Sequence, residues 1–168
     1  AMESCFVNLI EPGDKILIVE NGYFSSRMVN ICQRLNADID ILNFKWGEPL
    51  IINDLKEQLH RNKYNIIAIV HAETSTGIRN PVEEIKQYLD DETLFIVDAV
   101  TSFGTINLEV DKWGIDAIYS CSQKGLSCPP GASPISFSSR AENKILKRKT
   151  LVPNFYLDMQ QIMRYLGG

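Results

Sequence analysis

Short apolar runs alternate with segments of helical period along nearly the whole chain, and that alternation constrains the fold more than any single residue. Ile66 to Val70 and Leu94-Phe95-Ile96-Val97 are uninterrupted apolar stretches. Runs of roughly four to eight such residues suit strands buried on both faces, as in parallel sheets, better than the in–out alternation of a half-exposed sheet. Lys15 to Glu20 reads as another buried strand, whereas the alternating polarity of Ile39 to Phe44 marks an edge or half-exposed one. Between them, residues 23–35 place Met28, Ile31, Cys32 and Leu35 on one helical stripe. Helices are also expected at residues 2–10, at Ile52 to Arg61 with Asn53 or Asp54 as cap, and at Pro81 to Leu89 with Asn80 as N-cap. A strand then ends near Ser122, and Ala132 to Ser138 reads as an edge or reversed strand because Pro134 lacks a backbone donor. Helical patterns follow at 139–149 and 156–166. The order predicts an α/β fold: a mainly parallel sheet flanked by helices.

The 168 residues contain no repeat, low-complexity tract or linker, so 1–168 reads as a single domain. A chain of this size can bury about two-thirds of its unfolded surface. The net charge of −4 gives no electrostatic footprint for nucleic acid or for an anionic membrane. Lys144, Lys147, Arg148 and Lys149 form the one basic cluster, and in a helical pattern they read as a solvated face. Cys5, Cys32, Cys121 and Cys128 lack the spacing of a secreted disulfide framework and are expected to be reduced thiols of a cytoplasmic protein. With no histidine near Cys121 and Cys128, no metal site is expected. No apolar run approaches the ~20 residues needed to span a bilayer, and Ala1-Met2-Glu3-Ser4 has no basic leader. The chain opens inside a helix pattern without a cap and closes on Leu166-Gly167-Gly168, which gives the expectation of a piece cut from a larger domain.

The chemistry is concentrated where apolar strands finish. Ile118-Tyr119-Ser120-Cys121-Ser122-Gln123 runs into Lys124, and Thr93-Leu94-Phe95-Ile96-Val97 runs into Asp98. In open α/β sheets, ligands bind beyond the carboxyl ends of strands. A desolvated lysine loses hydration and becomes a better nucleophile toward an aldehyde. A carboxylate after four apolar residues is costly unless a cation meets it. A covalent amine plus an acid for a protonated pyridine nitrogen is the pair that pyridoxal 5′-phosphate requires. The bland alternatives are a surface lysine ahead of the Pro129-Pro130-Gly131 turn and an aspartate that caps the next turn. His71-Ala72-Glu73-Thr74-Ser75-Thr76-Gly77 supplies hydroxyl donors after a third strand, and Asn21-Gly22-Tyr23-Phe24 supplies an aromatic face after a fourth. Loop and core-packing roles remain open for both segments.

These segments, with Glu11-Pro12-Gly13-Asp14, Val97-Asp98-Ala99-Val100, Ser122-Gln123-Lys124 and Pro129-Pro130-Gly131, resemble the class V pyridoxal-phosphate-dependent aminotransferases of the alanine–glyoxylate and serine–pyruvate type, in that family's order. The resemblance implies the large-domain fold of the aspartate aminotransferase superfamily, fold type I. It also implies transfer of an amino group from a small amino acid, such as alanine or serine, to a 2-oxo acid, such as glyoxylate or pyruvate, with ping-pong kinetics. Carried over by position, Lys124 forms the Schiff base, Asp98 binds the pyridine nitrogen and Thr74 the 3-oxygen side of the ring. Phe24 stacks on the ring where the family usually has tryptophan, Val100 packs the opposite face, and Gln123 contacts the phosphate. A homodimer is implied as well. The family's phosphate loop and the small C-terminal domain with its carboxylate-binding arginine have no counterpart in these residues, so the resemblance covers the central portion of the large domain. Cysteine desulfurases of the same class are the nearest rival, but they place histidine before the lysine where this chain has Gln123. A non-catalytic fragment is the other alternative.

Overall fold

The computed structural model describes residues 1–167. In chain order the elements are α1 (Met2–Leu9), β1 (Lys15–Glu20), α2 (Tyr23–Arg34), β2 (Asp38–Asn43), α3 (Ile52–Arg61), β3 (Ile66–Val70), β4 (Ala72–Glu73), β5 (Ile78–Arg79), β6 (Leu94–Asp98), β7 (Ala117–Tyr119), β8 (Ile135–Phe137), α4 (Ser139–Leu146) and α5 (Met159–Leu166). One six-stranded sheet has the order β2-β1-β3-β6-β7-β8, and β4 and β5 form a separate hairpin. All pairings in the large sheet are parallel except β7 with β8. The expected mainly parallel sheet is therefore present, with β2 at one edge and the reversed strand containing residues 135–137 at the other.

Alternate residues along each strand feed opposite sides of the sheet, as the period of two requires. Ile16, Ile18, Ile66, Ala68, Val70, Ile96 and Tyr119 pack with Phe6 and Leu9 of α1, Met28 and Cys32 of α2, and Ile145 of α4. Leu17, Val19, Ile67, Ile69, Phe95 and Val97 pack on the other side against Leu55 of α3, Val82, Ile85 and Trp113. Both faces of the central strands are thus covered.

Local expectations fail where side chains have other uses. The segment 81–89 forms two 3-10 turns, Val82–Glu84 and Lys86–Tyr88, instead of a helix. Asn80 does not cap it. Its buried amide instead donates to the Val70 carbonyl (2.7 Å) and accepts from Asn21 Nδ2 and the Leu50 amide (2.8 Å each). Neither Asn53 nor Asp54 caps α3, which starts at Ile52 after Ile51 without a side-chain cap; Asp54 instead lies in the first turn, where its charge suits the helix dipole. The segment 156–166 divides into a 3-10 turn, Phe155–Leu157, and α5, which Asp158 caps through Gln160 N–H at 2.9 Å.

Candidate active site

The carboxyl ends of β1, β3, β6 and β7 all lie on one rim because those strands are parallel. Asp98 ends β6 and is 2% exposed. Its Oδ1 accepts the Val100 amide at 2.8 Å, a turn that sets Val100 directly beside the acid. Burial pushes the Asp98 carboxyl from 3.8 to about 6. The Val100 N–H, the neighbouring Tyr119 hydroxyl and the Arg27 charge pull it down, while the Glu73 charge pushes it up. Tyr119 Oη lies beside Asp98 yet completes no hydrogen bond by distance and angle, so its support is the weaker kind. No salt bridge reaches Asp98 among the described residues.

Phe24 occupies the first turn of α2, half-buried, with the Arg27 guanidinium 4.9 Å from its ring centroid. Phe24 and Val100 pack against the same side of the core as Tyr119. Thr74 is exposed at the tip between β4 and β5, and its hydroxyl meets that of Thr101, in the turn after Asp98. Asp98, Val100, Thr74 and Phe24 are thus brought to one place.

Lys124 does not end a strand. The β7 ladder stops at Tyr119, and although Ser120 N and Ser122 N still donate to Pro134 O and Ala132 O (3.0 Å each), Gln123 and Lys124 lie in the turn beyond it. Both are exposed, so the expectation of a desolvated amine is not met by this chain alone. Their loop is nonetheless held. Ser122 Oγ donates to Pro129 O (2.7 Å) and accepts from Ala132 N (3.3 Å), while Ser122 O accepts from Cys128 N (3.0 Å). Gly125 rests on the turn after Asp98, where a Cβ would stand 2.2 Å from the Phe103 carbonyl oxygen, and only glycine allows that approach. The loop of Gln123 and Lys124 is therefore seated on the segment that carries Asp98, Val100 and Thr101.

Residue-by-residue reading missed Glu73, His71 and the Asn21–Asn80 pair as parts of the site's frame. His71 is fully buried, stacks edge-on to Trp113 at 5.6 Å and accepts from Arg79 Nε at 3.3 Å. Burial drives its pKa down to about 4, with the Arg79 charge adding to the effect. For Asn21 and His71 the signal was a polar side chain directly after a buried strand, where burial demands hydrogen-bond partners; Glu73 and Asn80 carried no such signal.

Residues 1–156 match the aminotransferase class V family. An alanine–glyoxylate aminotransferase of Rattus norvegicus is 36% identical over 168 residues, which are 99% of this chain and 41% of that protein. The crystal structure of an alanine–glyoxylate aminotransferase from Nostoc sp. superposes with a TM-score of 0.92 at 44% identity, covering 99% of this chain and 45% of that one. That of a ureidoglycine–glyoxylate aminotransferase from Bacillus subtilis gives 0.93 at 34% identity, covering 98% and 43%. The fold is the large-domain fold of the fold type I transferases. Within that class, the chain belongs to the class V aminotransferase family. It spans about two-fifths of the length of the curated relatives it matches.

Proposed function

We propose that this chain is the central portion of the cofactor-binding domain of a pyridoxal-phosphate-dependent aminotransferase, one that moves an amino group from a small amino acid of the alanine or serine type to a 2-oxo acid such as glyoxylate or pyruvate. The observation that carries the reading is Asp98, a carboxylate 2% exposed at a strand end, beside an aromatic ring and hydroxyls, with no cation paired to it among the described residues. Such an acid is costly to keep charged, and a protonated pyridine nitrogen is a partner of the right charge and size. The residues present fit that group: Phe24 and Val100 offer two apolar surfaces on one side of the core, and Thr74 offers a hydroxyl at the rim. The names of the relatives support glyoxylate as an acceptor.

Pyridoxal phosphate, when bound, supplies an electron sink for the pair left on the substrate carbon after its proton departs. Asp98 would hold a proton on the ring nitrogen, which keeps that sink open. Lys124 Nζ would hold the cofactor covalently and, when free, take the proton from the substrate Cα and return it as general base and acid. Gln123, the adjacent residue on the same loop, would donate to the phosphate. Phe24 and Val100 would fix the ring plane and keep water from its faces, and Thr74 would orient its 3-oxygen. A cytoplasmic homodimer completes the reading. The four free cysteines support the compartment, and the exposed Leu151, Phe155, Tyr156, Tyr165 and Leu166 support a partner.

Borohydride reduction of the full-length protein loaded with pyridoxal phosphate, followed by peptide mapping, tests the assignment. A pyridoxyl adduct on Lys124 that disappears in Lys124→Ala, together with alanine–glyoxylate transamination, is expected. An adduct elsewhere, or full activity in Lys124→Ala, refutes it, and sulfide release from cysteine without transamination would favour a desulfurase.

A further inference from the structure

Glu73 is a fully buried acid that the mechanism above leaves without a part. Helix α2 begins after Gly22, which has no side chain to satisfy the free amides of the first turn. Those amides are met from another segment. Phe24 N–H donates to both Glu73 oxygens (3.1 and 3.3 Å), Ser25 N–H donates to Oε2 (3.0 Å), and Tyr23 N–H donates to Ser75 Oγ (2.9 Å). Ser75 returns its own amide and hydroxyl to Glu73 Oε1 (3.2 and 2.7 Å), and Ser25 Oγ lies 3.4 Å from Oε2. An anion at a helix N-terminus is also favoured by the helix dipole. The fit leaves no slack: a Cβ on Gly22 would stand 2.4 Å from Glu73 Cγ.

Two residues given to the cofactor hang on this one carboxylate. The Phe24 backbone is bonded to it, and Thr74 is its chain neighbour, joined in turn to Thr101 beyond Asp98. We propose that Glu73 is a positioning residue for the cofactor site: by capping α2 from the β4–β5 hairpin, it holds the Phe24 ring and the Thr74 hydroxyl in register with Asp98. The inference rests on the cofactor reading above. It adds that the ring-stacking and ring-oxygen contacts form one unit with one anchor, and that the anchor must be an acceptor on both oxygens.

Glu73→Gln is the test, because glutamine keeps the volume but turns an NH₂ group toward amides that need an acceptor. In the full-length protein, the dissociation constant for pyridoxal phosphate should rise at least tenfold, and the circular dichroism induced in the cofactor's absorption band should fall by half or more. Without cofactor, the Phe24 and Ser25 amides should exchange with solvent at least tenfold faster, while amides of β3 and β6 keep their protection. Loss of protection throughout the sheet would mean a merely structural role and would overturn the proposal. Ser75→Ala, which deletes the Tyr23 and Glu73 hydroxyl contacts but keeps the acid, should shift the same readouts in the same direction by a smaller factor. It carries the test if Glu73→Gln does not fold, and wild-type values in Ser75→Ala would then refute the idea. A wild-type protein that gives no reducible Lys124 adduct overturns the cofactor reading itself. One that gives the adduct, with Glu73→Gln matching it in affinity and dichroism, overturns the role of Glu73 alone.

Discussion

Asp98→Asn should stabilise the cofactor-free protein at pH 8 and, on the proposed reading, abolish tight cofactor binding. Burial raises the Asp98 carboxyl from 3.8 to about 6. At roughly 1.4 kcal/mol per pH unit, the folded charged form is disfavoured by about 3 kcal/mol relative to the unfolded chain. Proton counting gives the sign. Between pH 3.8 and about 6 the folded state holds the proton that the unfolded state has released, so stability falls as pH rises through that window. Below it both states are protonated and the cost vanishes; above it the cost is complete. Asparagine carries no charge and its Oδ1 can still accept the Val100 amide, which Asp98 accepts at 2.8 Å. The variant should therefore gain about 3 kcal/mol at pH 8, roughly half that at pH 5, and little at pH 4. Denaturant unfolding of both proteins across pH 4–8 reads the difference directly. Equal stability at pH 8, or a difference that does not change with pH, would refute the argument that this acid is held uncompensated. Loss of tight cofactor binding in the same variant would show that the cost is retained for function.

Removing the Tyr119 hydroxyl, which is buried without a hydrogen bond, should be neutral or stabilising by about 1 kcal/mol at pH 4, where Asp98 is protonated, and less favourable at pH 8, because Asp98 should titrate higher in Tyr119→Phe. Denaturation and carboxyl-carbon NMR check the two parts. Gly125→Ala drives a Cβ into the Phe103 carbonyl, so it should cost about 1–3 kcal/mol and lower the yield of borohydride-trapped Lys124; an unchanged yield would show that the seat of this loop is irrelevant. Asp116→Ala removes the carboxylate that binds Phe95 N (2.9 Å), Ser138 Oγ (2.6 Å) and Arg140 Nη2 (2.6 Å), and should lower unfolding free energy by about 2 kcal/mol, read by denaturant unfolding. That is less than for a sealed pair because the Arg140 side chain is 40% exposed.

The central sheet was readable because Lys15 to Glu20, Ile66 to Val70 and Leu94 to Val97 are largely apolar runs, and few structures other than doubly covered strands use such runs. The edge position of the last strand was readable from Pro134, which left open whether the strand also reverses, as it does. The 3-10 turns at 82–88 were not readable, because Asn80 has the chemistry of a cap and its commitment to Val70, Asn21 and Leu50 depends on segments remote in sequence. The gathering of Asp98, Thr74 and Phe24 at one rim was legible because each follows an apolar strand, whereas Val100 was reached only through the resemblance. Glu73 was not legible, because an acid in a hydroxyl-rich loop looks solvated until the fold places a bare helix end above it. The exposure of Lys124 was one of two readings that the sequence left open. Whether an amine is desolvated depends on what faces it, and its own neighbours in sequence do not decide that.

The antiparallel pairing of β7 with β8 has a topological consequence for the lysine loop. A parallel partner would require the chain to cross back to the far end of the sheet before returning. Here the excursion from Ser120 to Pro134 leaves and re-enters the sheet at the same rim, and the Ser120–Pro134 and Ser122–Ala132 bonds close its neck. Beyond that neck the loop is tied at two further points, by Ser122 to Pro129 and Cys128 and by the seat of Gly125 on Phe103. The sheet register is closed at the neck, so a change at the exposed Leu126 or Ser127 alters what surrounds the lysine without breaking a ladder bond, whereas Cys128 and Pro129 are tied back to Ser122.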